Sequence, residues 1–399
     1  MSLLERLNKD TPKRILALDG GGMRGALSLG YLQKMETILK VRYKKDDFRL
    51  RDYFDLIGGT STGSIIATAL ASGMKVAEIN DLYQSLGRVI FGKKRSLILN
   101  FDKYIKAAYD NQPLEDALKA KFGEICLGDD ALTTGLAIIA KRVDTLSPWV
   151  VYNHPKGKYF NDYISDDGVI INKGNKHIPL WQLTRASSAA PTYFVPMRMD
   201  VGDTTDAVFV DGGMSQHNNP ALQLFLLASV RGYNFNWKIG EDDLFVCSIG
   251  TGTYRRKLDP DTLMDSKLWD WAKMVPDILV SDATDHNQMM LQLMGKNISP
   301  YPLEIDGEVG TLKYDTLFAN GSNKKMFTYA RYNFFLEQEE LEDLGFEGLS
   351  IEDIEDLRKM DNTKFITKLY DIGFKAAERD LNDGSFPTQF DIKIDMQPT

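Results

Sequence analysis

Apolar runs of strand length alternate with helically spaced apolar positions through the first two-thirds of the chain. Arg14–Asp19 (RILALD) is one such run. Glycines separate it from Leu27, Leu29, Tyr31, Leu32, Met35, Ile38 and Leu39, whose spacing predicts a helix. Phe54–Gly58 repeats the unit, with a sharp glycine turn and a helix expected from about Thr62 to Ser72. Further strands are expected at Leu136–Arg142, Trp149–Tyr152 and Val208–Asp211, with Leu244–Ile249 as the last clear buried one. Helices are expected at Leu180–Ser188 and Pro220–Arg231. Near-continuous apolar strands separated by helices predict an α/β fold with a largely parallel sheet covered on both faces. The loops at the strand C-terminal ends then gather on one side.

The last third breaks this pattern. Leu268–Gly295 is rich in tryptophan and methionine, and Gln338–Asp380 is acidic and helical in period. Ser350 and Asp353 make a capping box for a helix starting near Ile351, and another helix is expected from about Lys364 to Arg379. These read as helices packed on the main unit.

Composition narrows the function classes. With 43% hydrophobic and 26% charged residues among 399, the chain has material for a sizeable core. A net charge of −8 argues against binding nucleic-acid polymers, and against adhesion to anionic lipid by overall charge; any membrane contact is local. Cys126 and Cys247 lie far apart and outside any C-x-x-C pair, so neither a disulfide framework nor a structural zinc site is expected. The N-terminus (MSLLERLNKD) carries charge where a signal peptide needs an apolar core. No run of about 18 apolar residues is present to span a bilayer, so the expectation is a soluble, cytoplasmic protein.

Three loops carry the candidate chemistry. Asp19-Gly20-Gly21-Gly22-Met23-Arg24-Gly25 gathers backbone N–H groups at the start of a helix, a cradle for a phosphate or for the oxyanion of acyl transfer. Gly20, Gly22 and Gly25 also satisfy G-x-G-x-x-G, but the acidic partner expected about 20 residues on is missing. Asp46 and Asp47 precede the next strand, which ends in Gly58-Gly59. That disfavours a nucleotide-binding oxidoreductase; a structural glycine turn is the plainer alternative. Gly59-Thr60-Ser61-Thr62-Gly63 lies between a strand and a helix, where G-x-S-x-G forms a nucleophile elbow. A helix cap by Ser61 or Thr62 is its plainer reading. Asp211-Gly212-Gly213 ends a strand, and Asp211 lies beside Ser61 if the two strands are neighbours; in isolation it is an ordinary Asp-Gly turn.

A serine nucleophile usually takes a histidine base. Of the four histidines, His154 and His177 lie in polar segments typical of surface loops, and His286 lies in a polar helical stretch. His217 is the one competitor, although its neighbours suggest a helix N-terminus. A carboxylate can replace histidine if burial raises its proton affinity and oriented amides stabilise the developing charge.

DGGGMRG, GTSTG and DGG, in that order, with Arg185–Phe194 (RASSAAPTYF) upstream of the aspartate, resemble the patatin-like phospholipase family over about Lys13–Gly252. The resemblance implies a three-layer α/β/α catalytic domain at 13–252, and the helical period of the last third adds a mainly helical C-terminal region at 253–399 packed on it. The resemblance also implies lipid acyl hydrolysis with Ser61 as nucleophile and Asp211 as base, Gly59 and Gly63 framing the elbow. Gly20, Gly21, Gly22, Met23 and Arg24 would form the oxyanion hole, with no metal and no diffusible cofactor. Asn218-Asn219-Pro220 suits the family as well and favours a structural role for His217.

A phospholipid or other acyl lipid substrate implies peripheral membrane contact. Arg88–Phe101 interleaves Lys93, Lys94 and Arg95 with Phe91, Leu97, Ile98, Leu99 and Phe101, as a membrane-touching segment would; a surface loop leading into a core helix is the plainer reading. Trp269, Trp271, Met274, Met289, Met290 and Met294 read as core packing, with an acyl channel or lid as the alternative. Bacterial members of the family include effectors gated by cyclic nucleotides. A small-nucleotide activator, in antiviral defence, is therefore the alternative regulatory reading. Arg255, Arg256 and Lys257 are its candidate contacts, or else a solvated turn.

Overall fold

The computed structural model describes residues 2–91, 109–191, 193–202, 206–255, 259–299 and 324–393. Helix α1 (Leu3–Asn8) starts on a reciprocal cap between Ser2 and Glu5. Strand β1 (Lys13–Leu18) then passes through the glycine loop into α2 (Gly25–Tyr43). The unit recurs as α3 (Leu50–Tyr53), β2 (Leu56–Thr60), α4 (Thr62–Ala71) and α5 (Val76–Phe91). After α6 (Gln112–Phe122), β3 (Gly135–Arg142) and β4 (Ser147–Tyr152) form an antiparallel pair. A separate hairpin, β5 (Tyr163–Ile164) and β6 (Ile170–Asn172), precedes α7 (Leu180–Ser187). Then follow β7 (Met197–Met199), β8 (Ala207–Asp211), α8 (Ala221–Ser229) and β9 (Leu244–Ile249). The C-terminal part holds α9 (Pro260–Met264), α10 (Leu268–Met294), β10 (Gly295–Asn297), β11 (Phe327–Tyr332), α11 (Gln338–Asp343), α12 (Ile351–Arg358) and α13 (Ile366–Asp380).

Strands β10, β11, β9, β1, β2 and β3 lie side by side in that order, all parallel, while β4, β7 and β8 add antiparallel pairings. The sheet is thus largely parallel, as the sequence pattern predicts. Leu244–Ile249 is not the last buried strand, however: β11 is fully buried beside it, and β10 extends the edge. The Phe327–Tyr332 run (FTYARY) carries an arginine, which hid a strand from a reading based on apolar runs.

Strand alternation sorts side chains to the two faces. Leu16 and Leu18 of β1, Ile57 of β2, and Phe245, Cys247 and Ile249 of β9 face one core, filled by α2, α4, α7 and α13. Ile15 and Ala17, Leu56, Leu244 and Val246 face the other, closed by Ala221, Leu224 and Phe225 of α8 and Leu291 of α10. The result is three layers, α/β/α. The C-terminal part belongs to both helical layers, α13 packing along α2 on one side and the end of α10 against α8 on the other. Ser350 and Asp353 form the expected capping box of α12.

Among the described residues no helix is long and apolar enough to cross a membrane. Residues 92–101 of the basic–apolar segment, with Lys93, Lys94 and Arg95, lie outside the described residues, as do Arg256 and Lys257.

Candidate active site

The meeting of Ser61 and Asp211 is a consequence of register on β3. One edge of β3 is taken by β4. The other edge is shared: β2 climbs along Gly135–Ile139 and ends with Thr60 opposite Ile139, while β8 descends along Arg142–Ala140 and ends with Asp211 opposite Ala140. The two strands are therefore not hydrogen-bonded neighbours. They meet end to end, one residue apart on a common partner. The turn after Asp211 folds down over β3, where a Cβ on Gly212 would sit 2.2 Å from the Ile139 carbonyl oxygen; only glycine fits there.

Ser61 caps α4 with φ 55° and ψ −129°, a backbone conformation that side-chain-bearing residues seldom adopt. Gly59 and Gly63 make the bend possible, since a Cβ on Gly59 would meet the Gly63 carbonyl at 2.2 Å and one on Gly63 would meet the Leu18 carbonyl at 2.3 Å. The Ser61 N–H donates to Ser187 Oγ at 2.9 Å, and Ser187 Oγ donates in turn to the Ile139 carbonyl at 2.5 Å. Ser187 comes from the RASSAAPTYF block, whose chemistry was not visible from sequence. It ties the strained turn to the same β3 residue that sets the register.

The Ser61 hydroxyl donates to Asp211 Oδ2 at 2.5 Å, and Asp211 Oδ1 accepts from the Gly213 N–H at 2.7 Å. Burial pushes the Asp211 carboxyl up to about 6, against the lowering effect of the Ser61 and Gly213 hydrogen bonds. It is a buried carboxylate poised near neutrality, in contact with a hydroxyl on a strained turn.

His217 does not compete for this position. Its ring is buried with Nδ1 unpartnered, it shares no hydrogen bond with Ser61 or Asp211, and burial followed by the charge of Lys141 lowers it to about 4. Its backbone carbonyl instead accepts from Thr60 Oγ1 at 2.6 Å. His154, expected on a surface loop, is fully buried against the Phe235 ring, and burial followed by the charge of Lys156 lowers it to about 4. His177 pairs with Asp162 and His286 is exposed on α10.

The glycine loop lies against the elbow: a Cβ on Gly20 would be 3.0 Å from Ser61 Cβ. Of its five candidate amides, three are engaged. Gly20 N–H donates to the Asn218 carbonyl at 3.1 Å, Met23 N–H to the Met360 carbonyl at 2.7 Å, and Arg24 N–H to the Gly21 carbonyl at 3.2 Å. Among the described residues, Gly21 and Gly22 keep N–H groups without a protein acceptor. Asn218 also reaches the Gly20 carbonyl through Nδ2 at 3.4 Å, so the loop after Asp211 is tied to the glycine loop.

At the head of the glycine loop Asp19 forms a bidentate pair with Arg331 of β11, Nη1 to Oδ1 at 2.9 Å and Nη2 to Oδ2 at 2.5 Å. Burial opposes charge on Arg331, but the facing Asp19 carboxylate more than compensates and raises its pKa. Sequence reasoning missed this residue. The available signal was a lone arginine inside an otherwise apolar run of strand length.

The Patatin-like phospholipase family model matches residues 16–225 of the chain. The chain is 30% identical over 261 residues to the cGAMP-activated phospholipase of Escherichia coli (strain TW11681), covering 65% of this chain and 68% of that protein. It is 28% identical over 295 residues to the cGAMP-activated phospholipase of Vibrio cholerae, covering 70% and 77% respectively. It is also 29% identical over 287 residues to the calcium-independent phospholipase A2-gamma of Rattus norvegicus, covering 71% of this chain and 33% of that protein.

Proposed function

This chain belongs to the patatin-like phospholipase family, hydrolases of lipid esters, and from that premise we propose that it releases fatty acid from phospholipid by acyl transfer to Ser61, with Asp211 as base. The observation that carries the assignment is the 2.5 Å hydrogen bond from the Ser61 hydroxyl to Asp211 Oδ2. As Ser61 Oγ attacks the acyl carbonyl, its proton passes to Asp211, and the Gly21 and Gly22 amides receive the oxyanion. Asp211 then gives the proton to the departing alcohol. Water attacks the acyl-enzyme as Asp211 takes one of its protons, and Asp211 returns that proton to Ser61 Oγ as the Oγ–acyl bond breaks and the fatty acid leaves. Every step uses one carboxylate, held by its own turn through the Gly213 amide rather than by a third residue.

Because the ionised form of Asp211 is the base, protonation removes activity. With its pKa pushed up to about 6, kcat/KM on a soluble ester is expected to be flat above neutrality and to fall about tenfold per pH unit below pH about 6. A pH–rate profile checks this; a plateau continuing well below pH 5 would assign the base elsewhere.

Peripheral membrane contact is part of the proposal, supported by the first half of α10. Leu268, Trp271, Val275, Ile278 and Leu279 share one helical face and are exposed. The same helix holds the loop after Asp211, Asn287 Nδ2 donating to the Gln216 carbonyl at 2.7 Å. Trp271→Glu combined with Leu279→Glu is expected to lower vesicle hydrolysis about tenfold or more while sparing a soluble ester. Equal loss on both substrates would remove this face from membrane contact.

A gated enzyme is the second reading, favoured by the two relatives named cGAMP-activated phospholipases. Fatty-acid release from mixed phospholipid vesicles, by wild type and Ser61→Ala, with and without cGAMP, decides between them. Ser61-dependent release without additive supports a constitutive lipase; release only with cGAMP supports a gated one. No release under either condition from folded protein overturns both.

A further inference from the structure

We propose that Arg331 is a positioning residue for this reaction: by gripping Asp19 it fixes the direction of the Gly21 and Gly22 amides that receive the oxyanion. The inference rests on acyl transfer at Ser61. Between Gly20 and Met23 the chain has no side chain of its own, so those two amides are oriented by bonds to the Gly20 and Gly21 carbonyls, from Asn218 Nδ2, Thr251 Oγ1 and the Arg24 N–H, and by the anchors on either side that fix where the loop starts and ends. Upstream, the Asp19 N–H continues the sheet by donating to the Ile249 carbonyl at 3.1 Å, and both of its carboxylate oxygens are held by Arg331. Downstream, Met23 is held by the Met360 carbonyl. Both grips come from the C-terminal part of the chain, Arg331 from β11 and Met360 from the turn between α12 and α13.

Arg331 is built to hold rather than to touch substrate. Asp19 and Arg331 are each only 5% exposed. Nη1 makes a second bond to Ser248 Oγ at 2.7 Å, and the Arg331 backbone N–H donates to Ser299 Oγ at 2.7 Å. Ser248 is also the β9 residue in register with Arg331, so the guanidinium reaches Asp19 across β9 from a fixed point in the sheet. A buried ion pair is a poor source of net stability, because desolvation offsets most of the attraction. What a planar, bidentate grip supplies is direction, which a lysine ammonium cannot reproduce.

The test uses full-length Arg331→Met, Arg331→Lys and the double variant Asp19→Asn/Arg331→Met, with kcat and KM on a soluble ester and Tm measured for each. Arg331→Met is expected to lower kcat about 100-fold with KM within about twofold, the pattern of a lost transition-state interaction, and to lower Tm. The double variant leaves no unpaired buried charge, so its Tm is expected to recover while kcat stays low. Arg331→Lys keeps the charge without the two-point grip and is expected to fold with kcat well below wild type. If Arg331→Met does not fold, the other two variants carry the test. Recovery of kcat together with Tm in the double variant, or wild-type kcat in Arg331→Lys, would overturn the proposal and leave Arg331 a structural ion pair. Ser61→Ala in the same assay separates the two failures: residual turnover there removes the acyl-transfer reading itself.

Discussion

Ser61→Ala is expected to abolish ester cleavage, lowering the rate by about 10⁴-fold or more, which corresponds to about 5 kcal/mol or more at the transition state. The substitution removes the atom that forms the acyl bond, so nothing nearby can replace it. The fold is expected to survive. The Ser61 N–H to Ser187 Oγ bond involves only the backbone of residue 61, and the Ser64 hydroxyl bond to the Ser61 carbonyl is likewise kept. What is lost is one hydrogen bond to Asp211, worth about 1 kcal/mol. That bond also holds the Asp211 pKa down, so in the variant Asp211 is expected to titrate higher than in wild type. Circular dichroism and thermal melting alongside fatty-acid release check both halves. Retention of more than a few per cent of activity by a pure preparation would mean that Ser61 only caps α4.

Asp211→Asn is expected to be as inactive, but for a different reason, and more stable. The amide keeps the size of the side chain and an oxygen for the Gly213 N–H, yet it cannot take a proton from Ser61. The stability sign follows from the raised pKa. An acid whose folded pKa lies at about 6, above its ordinary 3.8, is disfavoured when ionised in the folded state. Its cost is absent below pH about 4 and fully present above pH about 6. At pH 7 that cost is on the order of 3 kcal/mol, and the neutral amide removes much of it. A variant with lost turnover and an equal or higher Tm at pH 7 is the expected result, with the Tm advantage shrinking as pH falls towards 4. His217→Ala is the control. If it lost activity while Asp211→Asn kept most of its own, a histidine mechanism would replace the carboxylate one.

Much of the architecture was legible because it is written in consecutive residues. The apolar runs at Arg14–Asp19, Phe54–Gly58 and Leu244–Ile249 each became a buried strand, and the capping box at Ser350 became the start of α12. Phe327–Tyr332 was missed because its arginine breaks the apolar run, and that arginine is the partner of Asp19. His154 was misjudged because Asn153-His154-Pro155 looks polar in sequence, while the packing of Phe235 against its ring comes from a segment far along the chain.

The sequence by itself determined the three loops and the residue types in them. A sharp serine turn, a glycine-rich loop at a helix start and an aspartate at a strand end are local demands, met by glycines at fixed offsets. Only the tertiary structure decided that Ser61 and Asp211, 150 residues apart, meet where β2 and β8 approach end to end, Thr60 and Asp211 lying opposite consecutive positions on β3. It also decided which glycine-loop amides are left open, and that a guanidinium 312 residues away holds the loop's first residue. Strand register and long-range hydrogen bonds arise from the global pairing of elements, and a local pattern specifies an element without specifying its partner.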